Sequence, residues 1–462
     1  MAEWTRRELA GWGRLPVTEA EAARPETVSA ACRAVADTAA QGLALVPFGL
    51  GRSYGDAALI RDGRAVLTRR LDRILAFDPA TGWLKAEAGV SIEDLLRIFV
   101  PRGFFPPVTP GTKYVTLGGA LGCDVHGKNH HGDGCFSNHV RSFDLLLASG
   151  EVRTITRETD AKVFAATAGG LGLTGLVLAL ELRLLPIDSP HIEVETERVP
   201  DLESFFAVSR ASAGFTHTVA WLDCLARGRD VGRGVFIRGR HAPAGTERRK
   251  GLVERLTEAA APLLGVPFDA PNLLLNQATI TAFNTAYYGR HPRGVASHVS
   301  AVDPFFYPLD AVRDWNRIYG GRGFYQYQMV LPPDSGNGPE HAALREVLNE
   351  IGASGFGSFL AVLKEFGPTD NGGLSFPREG VTLALDFPNH GAPLLKLFER
   401  LDAITLAAGG RVYLGKDARL PRDTFRRMYP GWEAWKATRD QLDPHHTFQS
   451  ELGRRLGLSG AA

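Results

Sequence analysis

Residues 109–140 read TPGTKYVTLGGALGCDVHGKNHHGDGCFSNHV. The stretch concentrates glycine, histidine, lysine and asparagine, and no 3.6-residue apolar period runs through it. Glycine in a helix interior costs about 1 kcal/mol relative to alanine, so a long regular helix is disfavoured here. The segment predicts backbone shaped around a ligand, with polar side chains aimed at it. A second segment of this character lies upstream, PFGLGRSYGD at residues 47–56. Its glycines at 49, 51 and 55 permit positive φ and close backbone approach, and successive N–H groups in such a turn form a nest for phosphate oxygens. Arg52 and Ser53 add side-chain donors. One such loop would equally suit a plain connection between strands. Two more glycine-rich approaches, Gly118-Gly119 and GGLGLTG at 169–175, are hard to attribute to turns. Together they predict a large, phosphate-bearing organic cofactor.

Working outward, the pattern predicts a helix over 26–40, a strand ending at Phe48, and short strands at 65–67, 74–77 and 83–88. A helix follows over 91–99, capped by Ser91 with Asp94 three residues on. A strand at 143–147 enters a hairpin at Ser149-Gly150. Gly170, Gly172 and Gly175 match G-x-G-x-x-G, but the dinucleotide fingerprint needs a strand before it and a helix after it. Here DAKVFAATA before it reads as helix, and LVLALELR after it alternates as a strand. The Rossmann reading therefore fails. His126 and His130 suggest a metal site, but Gly127 breaks the helical face between them and no metal-type ligand ordering accompanies them. No metal is predicted, and a hydrogen-bonding wall around a cofactor ring suits these donors better.

The 462-residue chain has room for two or three domains. With 52 basic and 51 acidic residues it has no global attraction to nucleic acid. Four scattered cysteines (Cys32, Cys123, Cys135, Cys224) form neither a disulfide framework nor a CxxC metal pattern. The N-terminus lacks a secretory apolar core, and no window reaches 18 consecutive apolar residues. A cytoplasmic enzyme is expected, with peripheral contact at the inner face of the membrane left open. From about Pro186 the texture changes to longer amphipathic segments and aromatic clusters, which predicts a second domain. Residues 241–295 carry a basic run (Arg248, Arg249, Lys250, Arg255) and apolar stretches. They read as a lid, a membrane-surface patch, or an ordinary surface helix and loop. The last fifty residues predict a strand in GGRVYLGKDAR and then two helical stretches.

FGLGRSYGD, PGTKYVTLGGALGCDVHGKNHH, GGLGLTG and GGRVYLGKDAR, with GFYQYQ, AVLKEFGP, LSFP and DFP between them, carry a resemblance over nearly the whole chain. The chain resembles the FAD-dependent vanillyl-alcohol oxidase/p-cresol methylhydroxylase superfamily, and within it the decaprenylphosphoryl-β-D-ribose 2′-oxidases. The resemblance implies an α+β fold with a p-cresol methylhydroxylase-type FAD domain at 1–187, a substrate domain at 188–410, and a C-terminal return at 411–462 that completes the FAD domain and active site. It implies that Gly49, Gly51, Arg52, Ser53, Tyr54, Gly55 and Asp56 line the FAD pyrophosphate, with Thr116, Gly118, Gly119 and Asn129 alongside; Gly172 and Gly175 join the cofactor set. Cys123, His126 and Lys128 match positions near the isoalloxazine and substrate entrance. Lys416 matches the essential active-site lysine and Tyr413 its companion; with His126 they form the expected catalytic group. Gln326, Gln328, Lys364 and Lys128 match substrate-side positions.

The first loop, GRSYGDAA, has no histidine for covalent attachment, so FAD should be non-covalent. Ala384 departs from the family's mycobacterial members, which carry a cysteine there that is not needed for the chemistry. The implied activity is oxidation of the ribose 2′-hydroxyl of a polyprenylphosphoryl sugar to the ketone. A short-chain dehydrogenase-type reductase would complete epimerisation to the arabinose lipid used in cell-wall arabinan. Oxidation of a soluble sugar, alditol or aldonolactone is the alternative. Lys416 could serve as base or as a charged stabiliser, and the sequence leaves both open. Tyr413 and Lys416 face opposite ways in an ideal strand, so the strand must end or bulge near Gly415 for both to reach one site.

Overall fold

The computed structural model describes residues 3–248, 265–272, 274–333, 341–369 and 371–460. Arg249, Lys250 and Arg255 of the basic run, with residues 261–264 and 273 of the apolar stretches after it, lie outside the described residues, so the lid and membrane-patch readings fall partly outside them.

Two sheets arise from the first 183 residues. β1 (Thr5–Ala10), β2 (Val17–Ala23), β3 (Leu45–Phe48) and β4 (Arg64–Leu67) form a four-stranded sheet in the order β1-β2-β4-β3. Its β2/β4 and β3/β4 pairs are parallel. A helix at Val28–Ala40, capped by the Thr27 side chain on the Ala30 N–H, makes the crossover from β2 to β3, the parallel strands on either side of β4. Next come β5 (Ile74–Phe77), β6 (Trp83–Glu87), β7 (Phe104–Phe105), β8 (Val140–Leu146), β9 (Val152–Thr156), β10 (Leu176–Arg183) and β11 (Leu185–Pro186). Of these, β5-β6-β10-β8-β9 form an antiparallel sheet, and β7 pairs with β11. The Ser91 capping box is present. The G-x-G-x-x-G glycines lie between a helix (Ala161–Thr167) and β10, the reverse of the dinucleotide arrangement.

The largest sheet among the described residues has eight antiparallel strands. β12 (His191–Val199), β13 (His217–Leu222), β14 (Gly234–His241), β15 (Ala296–Ala301), β16 (Phe324–Leu331), β17 (Ala361–Phe366), β18 (Gly380–Pro388) and β19 (Arg411–Val412) run in the order β15-β12-β14-β13-β17-β18-β16-β19. Period-two alternation gives this sheet two distinct faces. Tyr327, Met329, Leu363, Leu383 and Leu385 pack on Leu394, Leu397, Phe398 and Leu401 of the helix Ala392–Ala407. Gln326, Gln328, Val362, Lys364 and Ala384, on the opposite face, line a large cavity.

The C-terminal segment differs from the expectation in two ways. GGRVYLGKDAR contributes only the two-residue strand β19, an edge of the eight-stranded sheet paired with β16. Three helices follow rather than two: Arg422–Met428, Trp432–Leu442 and Glu451–Leu456. They return to the first sheet, where Leu45 bridges to Phe448. The four cysteines are free. No described helix is long and apolar enough to cross a membrane.

Candidate active site

The cavity is built where the glycine loop after β3, the Gly/His segment, the turn after β19 and the open face of the eight-stranded sheet converge. None of the backbone N–H groups from Leu50 to Ser53 donates to an acceptor among the described residues. Neighbouring backbone is tied down: Trp12 N–H donates to Ser53 O (2.8 Å) and Tyr54 N–H to Gly415 O (3.3 Å). The loop thus offers a row of unused donors on a fixed frame, as an anion nest requires. Opposite it, Thr116 caps the short helix Leu117–Gly122, its hydroxyl accepting from the Gly119 N–H at 3.1 Å. Gly118, Gly119, Gly172 and Gly175 line the cavity beside it. A Cβ on Gly118 would lie 3.0 Å from the Ala88 Cβ, so glycine is what lets helix and loop close up.

Gly49, Gly51, Arg52, Ser53, Tyr54, Thr116, Cys123, His126, Lys128, Gln326, Gln328, Lys364, Tyr413 and Lys416 also line this cavity. Three expected residues do not. Gly55 is packed against backbone, and a Cβ there would sit 1.9 Å from the Asp417 carbonyl oxygen. The Asp56 carboxylate is held by Arg455 at 2.8 and 3.0 Å and is only 4% exposed. Its role is to tie the loop to the C-terminal helix, since a carboxylate would repel a pyrophosphate. Asn129 donates to Pro107 O (2.8 Å) and to Asp133 (2.7 Å), which shapes the Gly/His backbone from behind.

β19 ends at Val412, and a turn closed by Lys416 N–H on Tyr413 O (3.0 Å) brings both side chains to the cavity. The Tyr413 hydroxyl donates to Cys123 O (2.9 Å), and its ring stacks on Phe376 at 4.6 Å. Lys416 Nζ stands 3.8 Å above the Tyr54 ring, a favourable place for an ammonium. His126 is neutral, because burial, then the charges of Lys364, His130 and Lys416, push it far below its ordinary value. Its Nε2 lies 3.0 Å from Gln328 Nε2, which also donates to Thr382 Oγ1 (3.3 Å). Both amide N–H groups of Gln328 are thereby used, and its carboxamide oxygen is left as the ligand acceptor. His130 Nε2 faces Cys135 Sγ at 3.3 Å, and no three potential ligands gather at a metal site among the described residues.

Burial lowers Lys128 to about 7, with a smaller push from Lys364, and lowers Lys364 to about 8, with a push from Lys416. Lys416 is lowered by burial and partly restored by Asp386. Asp386 is a buried carboxylate beside Lys416 and Gln326 that sequence reading missed. It is fully buried, opposite Gln326 in the β16/β18 register, accepts from Gln326 Nε2, and has its second oxygen unpartnered. Burial raises its carboxyl, while Gln326 and Lys416 hold that rise back. The one charged residue in the largely apolar run VTLALDFP was the available signal.

Residues 20–156 match the FAD binding domain model, and residues 384–456 match the D-arabinono-1,4-lactone oxidase model. The chain is 37% identical to decaprenylphosphoryl-beta-D-ribose oxidase of Mycolicibacterium smegmatis, over 98% of each chain. It is 34% identical to a protein of Streptomyces coelicolor described only by its position in the mprA 5′ region, over 80% of this chain and 100% of that one. It is 22% identical to L-gulono-1,4-lactone dehydrogenase of Mycobacterium tuberculosis, over 94% and 95% of the two chains. The open nest and the glycine-lined cleft suit a dinucleotide cofactor. The full-length match and these features make the chain a member of the decaprenylphosphoryl-β-D-ribose oxidase family, FAD-dependent oxidoreductases of the α+β, p-cresol methylhydroxylase-type fold that act on CH–OH groups.

Proposed function

We propose that this enzyme oxidises the 2′-hydroxyl of a polyprenylphosphoryl-β-D-ribose to the ketone. The observation that carries the reading is one cavity that joins three lysines and two glutamines to an apolar flank of Trp12, Trp221, Phe306, Leu309 and Trp315. Such a wall suits a sugar phosphate with a hydrocarbon tail. In this reading residues 1–187 and the return at 411–462 hold FAD non-covalently, and 188–410 cover the substrate. The Leu50–Ser53 N–H groups take the pyrophosphate, with Thr116, Gly118, Gly119, Gly172 and Gly175 along the cofactor. Bound FAD supplies the acceptor for the hydride leaving the carbinol carbon.

The protein's own part is positioning and proton transfer. Lys416, brought toward neutrality by burial, accepts the hydroxyl proton at Nζ. The ammonium so formed is stabilised by the Tyr54 ring and by Asp386. Gln328 accepts from a sugar hydroxyl, and His126 keeps its amide turned. Tyr413 holds the Cys123 carbonyl and with it the end of the glycine helix. Gln326, Lys128 and Lys364 bound the sugar pocket. The lipid substrate is met peripherally at the membrane surface from the cytoplasmic side, and a short-chain dehydrogenase-type reductase consumes the ketone.

Anaerobic addition of polyprenylphosphoryl ribose to the yellow holoenzyme is expected to bleach the flavin band. Bleaching by an alditol or aldonolactone, and none by the lipid, would favour the soluble-polyol reading, to which the C-terminal lactone-oxidase match lends support. Asp386→Asn removes the charge that favours Lys416 ammonium, so Lys416 titrates at lower pH. The midpoint of the pH-dependent perturbation of the oxidised flavin spectrum should fall by about one unit, the low end of the effect of a nearby opposite charge. An unmoved midpoint would remove Asp386 from the site.

A further inference from the structure

We infer that the Arg52 guanidinium is the anion subsite for the phosphodiester of the sugar lipid, an assignment that rests on the proposed function and extends it. The guanidinium lies 3.8 Å over the Trp12 ring and 5.3 Å from the Tyr114 ring, at the cavity wall. Its Nε is buried with no hydrogen-bond partner. The carboxylates whose fields reach it are Asp310 and Asp314, and Asp310 is already committed to Thr112 (2.8 and 3.0 Å) and the Lys113 N–H (2.8 Å). A buried, underpartnered cation is costly unless an anion arrives to complete it. Arginine is also the side chain whose planar fork matches a phosphate.

Two phosphate sources meet in this cavity, the cofactor pyrophosphate and the lipid phosphodiester. The backbone donors of Leu50–Ser53 serve the first without the Arg52 side chain. The Arg52 side chain lies against the rings of Trp12 and Tyr114, and the charges nearest it across the cavity, Asp310 and Asp314, belong to the substrate segment. Chemistry demands a phosphate contact close to the reacting carbon, because the oxidised C2′ adjoins the anomeric carbon that carries the phosphate. Arg52 meets this demand, since it lines the same cavity as Lys416 and stands two residues from Tyr54, whose ring lies 3.8 Å from Lys416 Nζ. Lys128 meets it less well, since its ammonium is spent on Phe305 O and the Phe305 ring.

The test compares FAD-loaded wild type with Arg52→Met and Arg52→Gln. Farnesyl phosphate binding is read from the perturbed flavin spectrum, and FAD affinity from flavin fluorescence quenching by apoprotein. Both variants should weaken farnesyl phosphate by about 30-fold, the loss of one charge-assisted contact. KM for polyprenylphosphoryl ribose should rise by a similar factor, with a smaller change in kcat and FAD affinity within about 3-fold of wild type. Unchanged farnesyl phosphate binding overturns the subsite. A fall in FAD affinity that parallels or exceeds the ligand effect also overturns it and assigns Arg52 to the pyrophosphate. Farnesyl phosphate binding needs no turnover, so failure of the ribose lipid to bleach the flavin would defeat the proposed oxidation while the subsite is still measured. Arg52→Gln keeps a polar head over Trp12 and serves alone if the Met variant does not fold.

Discussion

Lys416→Met lowers the rate of anaerobic flavin reduction by polyprenylphosphoryl ribose about 10³-fold, while FAD stays bound and the protein melts near the wild-type temperature. The size follows from the role: a positioned acid or base contributes about 10²–10⁴-fold. Methionine keeps the apolar stem against Tyr54 and removes only the proton-accepting head. The turn that presents Lys416 is held by backbone, with Lys416 N–H on Tyr413 O and Tyr54 N–H on Gly415 O, so the substitution leaves the frame intact. Because the interaction is made chiefly as the proton moves, kcat falls far more than KM rises. A loss under tenfold would show that another group takes the proton.

Arg455→Met is the second large effect, and it acts on stability. Arg455 Nη2 lies 2.8 Å from Asp56 and 2.9 Å from Asp417, and its Nη1 donates to Leu420 O at 2.7 Å. The two carboxylates are 4% and 3% exposed. Burial pushes Asp417 up, but Arg455 and Arg419 together hold it below the ordinary carboxylate value, so it is charged at neutral pH. Removing the cation leaves buried carboxylates undercompensated, at a cost of about 3–5 kcal/mol. Denaturant unfolding monitored by far-UV circular dichroism should report that loss. FAD retention should weaken with it, because Asp56 closes the glycine loop and Asp417 follows Lys416 directly. A variant within about 1 kcal/mol of wild type would mean that water or Arg419 replaces Arg455.

The same cluster shows where reading residues one after another falls short. Asp56 sits beside three glycines in a phosphate-type loop, and only its pairing with Arg455, 399 residues later, turns it into a structural clamp. Gly55 fits a nest by composition, yet what makes a side chain there untenable is the Asp417 carbonyl. Asn129 likewise looks like one more donor in a donor-rich segment, and its contacts to Pro107 and Asp133 set it behind the cavity wall.

From sequence alone come the features governed by local physics. The Ser91 cap, the glycine-permitted loop at 49–53, the failed Rossmann context around Gly172 and the strand that ends or bulges near Gly415 depend on residues a few positions apart. Backbone sterics and side-chain alternation decide such features within a turn or two. Tertiary structure alone decided which polar groups face one another. The antiparallel register of β16 and β18 sets Gln326 opposite Asp386, and the return of the chain after β19 lays Lys416 over Tyr54. A lysine's charge, and so its chemistry, depends on how much water is removed and which carboxylate lies near, and both are settled by segments that meet only when the fold closes.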